Sequence, residues 1–312
     1  MSKRILLFLV LIILAIFVLS DLRSLSEGII YYVIPAITYS PTPVQPISRT
    51  GRFASLYDLV QLSNLERRDY IVKHLDSPSI SVIQIQIPNS QTTDVFARFN
   101  STGPYTIFCA HYDKYHDDAN FQGASDNTSS VSVLLAAAQS LASRGDVGNY
   151  AFLFTGEEET GLRGAAAFVD YARANHTLIR EIVDFDSLGR DALAIRPSAD
   201  QPGFFFALPF GVSIAFDGSA FQRGRVYPLA NAHLTQTLLR AQPDLVVLQQ
   251  FTALSDSNVF QANGIDTVAI SSSNMYYLQL AWDTYADRVE LVDERNLEKA
   301  YALIIGLTNK VE

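Results

Sequence analysis

The sequence predicts an α/β protein: a three-layer α/β/α sandwich around a central, mixed and mostly parallel sheet. Short apolar runs alternate with helical patterns from residue 51 onward, as crossover connections between parallel strands require. Polar clusters stand at the ends of several runs, where open sheets of this kind bind ligands. With 312 residues, 48% of them apolar, the chain is long enough for one sizeable core or two small ones.

At the N-terminus, Lys3 and Arg4 precede fifteen apolar residues, Ile5 to Leu19. This pattern fits a secretory signal or a short signal anchor. The run is shorter than the roughly twenty residues of a usual span, and Val18 and Ser20 offer a small-residue cleavage site. Anchored and secreted forms therefore both stay open. Ile29 to Tyr39, interrupted by Pro35, reads as a membrane-adjacent segment or a first packing element. Pro41, Pro43 and Pro46 mark an extended tether. The expected division is 1–20 signal anchor or signal peptide, 21–50 membrane-proximal segment and tether, and 51–312 folded domain. That domain is expected outside the cytoplasm, anchored in a bacterial inner membrane facing the periplasm, or secreted.

Within the domain the patterns predict a helix over Ser55–Leu75, strands at Ile80–Ile87 and Thr92–Phe99, and the buried strand Tyr105–Ala110. A helix over Val131–Ser143 follows, ended by Gly145, then strand Tyr150–Thr155, helix Gly164–Ala174 and strand Glu181–Phe185. Later come apolar runs at Phe204–Leu208, Leu245–Leu248 and Thr267–Ser271, a helix over Ala232–Ala241, and a closing helix over Glu294–Leu307.

A net charge of −9 with no basic stripe excludes nonspecific nucleic-acid binding, which needs clustered Lys and Arg. Cys109 is the single cysteine, so intrachain disulfides are excluded, and its apolar run TIFCA makes it a core residue.

Four clusters carry the chemistry. HYD follows TIFCA and supplies His111 and Asp113; imidazole is a common zinc ligand, and a nearby carboxylate can hold its tautomer. GASDN opens the long helix, where Asp126 is either a helix N-cap or a ligand. TGEEETGLRGA follows YAFLF, and three adjacent carboxylates at a strand end repel one another unless a cation is present. VDFDSLGR ends a strand at Asp186. Alternation points Asp184 and Asp186 to one face, so one can be a ligand while the other caps or pairs. Together these are the nitrogen and oxygen donors of a zinc site.

In this order, HYD, GASDN, EEETGLRGA and VDFDSLG resemble the zinc aminopeptidases of metallopeptidase family 28 in clan MH, whose relatives include glutamate carboxypeptidase-like and glutaminyl cyclase-like proteins. The resemblance covers most of 51–312 and implies a zinc exopeptidase-like fold with two zinc ions bridged by Asp126. It also implies that His111 and Asp186 complete the first ion's site and that Asp113 orients His111. The family's glycine spacing sets Glu158 as general base and Glu159 as ligand of the second ion. A one-residue slip would give Glu157 and Glu158 instead.

WDTYADRVELVD resembles the loop that carries the second ion's histidine, but Asp283 stands there, and none of the five histidines lies beyond His233. The resemblance then implies an all-carboxylate second site of Asp126, Glu159 and Asp283, weak for zinc or open to another divalent ion such as manganese. The implied activity is removal of N-terminal residues from peptides. A metal-poor scaffold and a hydrolase or cyclase acting on a non-peptide amide are the alternatives. His116, Tyr276 and Tyr277 are candidate substrate contacts, but His116 reads more readily as an ordinary exposed histidine and the two tyrosines as core, and His233 reads as structural. Asn100, Asn127 and Asn175 lie in glycosylation sequons.

Overall fold

In the computed structural model, the described residues are 43–99, 102–145, 148–196, 232–247, 254–274, 277–278 and 282–309, with backbone alone for 204–208 and 212–216. The expected signal segment 1–20 and the part of the expected membrane-proximal stretch up to Thr42 lie outside them. No helix among the described residues is long and apolar enough to cross a membrane. The chain divides into two units: Met1–Thr42 with Asp200–Val226, and Pro43–Ala199 with Tyr227–Glu312.

In the larger unit, α1 (Ser55–Leu59) and α2 (Asn64–His74) replace the single helix expected over Ser55–Leu75. Ser63 is the cause: its hydroxyl accepts from the Glu66 amide and its own amide donates to the Glu66 carboxylate, a capping box that starts a new helix. Strands β1 (Ser81–Gln86), β2 (Thr93–Arg98) and β3 (Tyr105–His111) lead to α3 (Ser129–Ala142). Then follow β4 (Tyr150–Thr155), α4 (Arg163–Ala174), β5 (Ile179–Phe185) and β6 (Leu193–Arg196). The smaller unit contributes a separate antiparallel hairpin of β7 (Phe204–Leu208) and β8 (Val212–Phe216). The larger unit closes with α5 (Ala232–Ala241), β9 (Val246–Val247), α6 (Asp256–Ala262), β10 (Thr267–Ser272) and α7 (Glu294–Thr308).

The sheet has eight strands in the order β1-β2-β4-β3-β5-β10-β6-β9. The central four, β4, β3, β5 and β10, are parallel, while β1, β2 and β6 make antiparallel pairs. The parallel strands are apolar on both faces because both are covered. Phe108 and Ala110 of β3 pack in one core with α1, α2, α3, α5 and α7. Ile107 and Cys109 pack in the other with Phe168 of α4 and Phe260 of α6. Each fully buried phenylalanine is worth about 1.5–3 kcal/mol by area removed from water. Ile47 belongs to the first core, and the Gln45 carbonyl accepts from the Glu294 amide, so the proline-containing stretch from Pro43 packs on the domain.

From β3 the chain crosses to β4 on one side, then returns to β5 on the other. The carboxyl ends of β3, β4 and β5 therefore flank one crevice, and His111, the acidic turn after Thr155 and Asp186 all sit at it.

Candidate metal centre

His111 is the last residue of β3 and is 3% exposed. Its Nε2 lies 3.1 Å from Asp126 Oδ1 and 3.9 Å from Asp186 Oδ1. Its Nδ1 lies 3.5 Å from Asp113 Oδ1, with no closer hydrogen-bond partner. Burial works against the imidazolium, but Glu158, Asp113 and Asp126 outweigh it and hold His111 well above the ordinary histidine range.

Asp126 sits in the π-type turn Ala124–Thr128 with non-helical backbone angles, so it is not the N-cap of α3, and its carboxylate faces His111. Three devices hold the turn. Asp287 accepts from the Ser125 amide, the Asp126 amide and the Ser125 hydroxyl. The Asn127 amide group donates to the Phe185 carbonyl at 2.9 Å and accepts from the Ser187 amide at 3.2 Å. Gly123 has φ +53°, and a Cβ there would lie 2.7 Å from the Asp126 carbonyl. Asn127 is fully buried with both amide atoms engaged, so its sequon has no free acceptor.

The register of the acidic turn follows from its partners. The Glu157 carboxylate pairs with Arg163 and accepts the Ser90 and Thr92 hydroxyls, toward the β1–β2 loop. Glu159, and not the Glu158 that a one-residue slip would make the ligand, groups with His111 and Asp126, the three offering ligand atoms within 4.8 Å of one another. Burial, with Asp126 next, pushes Glu159 up to about 10. Removal from water likewise holds Glu158 well above the carboxylate range against the pull of His111.

Asp184 of β5 and Asp186, one residue beyond its end, divide the work. Asp184 accepts the Ser257 amide and the Ser255 hydroxyl at the start of α6. Asp186 pairs with the buried Arg196, Nη1 to Oδ2 at 2.6 Å, and its Oδ1 accepts the Ser187 hydroxyl at 2.8 Å. Burial opposes ionisation of Asp186, but Arg196 and His111 hold it below the ordinary carboxylate range. Asp283 is exposed and stands outside the convergent group, though Asp126, after burial, helps push it up to about 6. The adjacent Trp282 donates from Nε1 to Ser187 Oγ at 2.8 Å, tying that loop to the Asp186 strand end.

Of the remaining candidates, His116 stacks on Tyr285 and meets Phe121 edge-on, His233 is exposed on α5, and Tyr277 is buried against Ser125. Tyr276 lies outside the described residues. Three supporting residues had no expected role. Asp287 holds the Asp126 turn, Arg196 pairs with Asp186, and Arg67, buried on α2, donates to the carbonyls of Leu59, Tyr112 and Gln122. A Lys or Arg on a helix reads as solvated, so nothing in the α2 pattern marked Arg67.

One imidazole nitrogen and carboxylate oxygens at this separation suit zinc or a similar divalent ion, and an imidazole nitrogen set against Asp113 is the usual support for such a ligand. The sequence profile of peptidase family M28 matches residues 94–308. The chain belongs to that family. Membership makes it a zinc-dependent hydrolase of peptidase type. Among curated proteins none matches it in sequence. Its fold is similar to the Legionella pneumophila LapA aminopeptidase, at TM-score 0.68 and 12% identity over 89% of this chain and 80% of that one. It is also similar to Porphyromonas gingivalis glutaminyl cyclase, at 0.60 and 16% over 84% and 98%. A Zn-dependent exopeptidase from Parabacteroides distasonis gives 0.58 and 14% over 86% and 99%. At these identities the M28 chain shares the fold with both peptidases and cyclases.

Proposed function

We propose that this M28 chain is a metallo-aminopeptidase that hydrolyses the N-terminal peptide bond of peptide substrates, with its domain outside the cytoplasm. The observation that supports this reading is the convergence of His111, Asp126 and Glu159 next to Glu158. His111, Asp126 and Glu159 would hold the ion, with Asp186 and Asp283 at the margins of the site. When bound, such an ion supplies Lewis acidity, which activates water and polarises a carbonyl. Glu158, whose charge acts on His111, accepts the proton of the attacking water and returns it to the leaving amine. Asp113 fixes His111 and the Glu158–Glu159 backbone in one frame. The surrounding carboxylates attract a free substrate ammonium, which favours exopeptidase action at the N-terminus.

The test is a panel assay of the protein dialysed against zinc. It compares peptides with free and acetylated N-termini, aminoacyl amides, and a peptide beginning with glutamine. Release of the first residue from free N-termini alone is expected. Cyclisation of the glutamine peptide without hydrolysis would assign the cyclase chemistry instead, and no turnover by the metal-loaded protein would favour a binding scaffold.

A further inference from the structure

Arg196 ends β6, where antiparallel pairing sets it opposite Ala269 of β10, and Ala269 in turn lies opposite Asp184 of β5. From that row its side chain, 2% exposed, reaches Asp186, the residue beyond the end of β5, and donates to Oδ2 at 2.6 Å. The other oxygen, Oδ1, already accepts the Ser187 hydroxyl at 2.8 Å and lies 3.9 Å from His111 Nε2. A buried, charge-assisted pair of this kind is not readily exchanged for a metal contact, because freeing Asp186 would break a short ion pair in the protein interior. The residues that resemblance assigns to two ions are therefore not equivalent. His111, Asp126 and Glu159 converge, Asp283 is exposed outside them, and Asp186 has a cation of its own.

We infer that Arg196 stands in for a metal ion at Asp186, so that the chain holds one divalent ion, on His111, Asp126 and Glu159, instead of a bridged pair. The inference rests on the metal-centre reading above but not on the identity of the substrate. Arg196 is a positioning residue that sets how many ions the site takes.

The experiment measures metal content and zinc affinity of the full chain and its variants, after dialysis against zinc and removal of free metal, with circular dichroism as the check on folding. One zinc per wild-type chain is expected, with Arg196→Lys the same and Arg196→Met rising to two as Asp186 is released. Two ions in the wild type, or a folded Arg196→Met that stays at one, overturns the inference. Should Arg196→Met not fold, Asp186→Asn decides. Its zinc affinity should stay within about threefold of wild type, and a loss of tenfold or more, the usual effect of disturbing a metal site's support, overturns the inference. One bound ion without peptide turnover would leave this inference standing and remove the aminopeptidase reading.

Discussion

Asp113 Oδ2 accepts the backbone N–H of Glu159 at 3.1 Å, while Oδ1 of the same carboxylate accepts that of Glu158 at 3.2 Å and lies 3.5 Å from His111 Nδ1. One side chain thus joins the end of β3 to the turn after β4. Removing it frees the imidazole and leaves two backbone donors without a partner. Asp113→Ala is expected to weaken zinc binding by about 10–100-fold, measured by calorimetric titration. Unchanged affinity would show that His111 is held without Asp113.

Much of this was legible in the sequence, and the physical reason differs by feature. The strands TIFCA and YAFLF are recognisable because both sheet faces are covered, which leaves continuous apolar runs. His111 is recognisable because it ends a buried strand, whereas Asp126 and Glu159 take their roles from the motif spacing of the family that the sequence resembles. The break at Ser63 was missed because the helical period runs through α1 and α2 alike, although Ser63 and Glu66 carry the capping signature. Asp186 was recognised but Arg196 was not, since an Arg distant in sequence gives no local sign that β6 lies beside β10 and faces it. The position of Asp283 depends on a loop whose course no period encodes.

Glu158 and Glu159 are neighbours, but only Glu159 belongs to the convergent group, so their glutamine variants should behave differently. Glu158→Gln is expected to retain zinc while turnover falls by about 10²–10⁴, the range for loss of a general base. Full activity in that variant removes Glu158 from the mechanism, and loss of metal shows that it, too, is a ligand.

Asp256 lies behind the site, buried, with Thr155 donating to Oδ2 and Oδ1 without a partner. Burial, with Asp184 next, raises it from the ordinary 3.8 to about 8. The folded chain thus binds a proton there that the unfolded chain gives up near pH 4. Stability therefore falls as pH rises from about 4 to about 8, and the penalty is fully present above that. Asp256→Asn should raise Tm at pH 8.5 relative to wild type and change it little at pH 4, as read by calorimetry at both pH values. An equal shift at both would mean that its ionisation plays no part.

Gly164 lies in the first turn of α4, where a Cβ would sit 2.3 Å from the Gly156 carbonyl and 2.4 Å from Asp94 Oδ1. Asp94 in turn accepts the Gly156 amide at 3.0 Å, so helix and acidic turn are packed backbone to backbone. Gly164→Ala should cost about 1–3 kcal/mol, as overpacking does, despite alanine's better helix propensity. Urea denaturation measures it, and a stabilised variant would mean that the turn relaxes freely.

Asp283 and Glu159 separate the two ways of counting metal ligands. Glu159 belongs to the convergent group, whereas Asp283 is exposed, with φ +52°, and influences the site through its charge. Glu159→Ala is expected to abolish zinc retention on gel filtration, whereas Asp283→Ala keeps the wild-type stoichiometry and loses affinity only modestly, in proportion to one removed, partly screened carboxylate. The salt dependence distinguishes a remote charge from a ligand. A remote charge matters less as ionic strength rises, so the difference between Asp283→Ala and wild type should shrink between low and high salt. A large loss of metal from Asp283→Ala that is insensitive to salt would instead make Asp283 a ligand, with its loop closing onto Asp126 and Glu159.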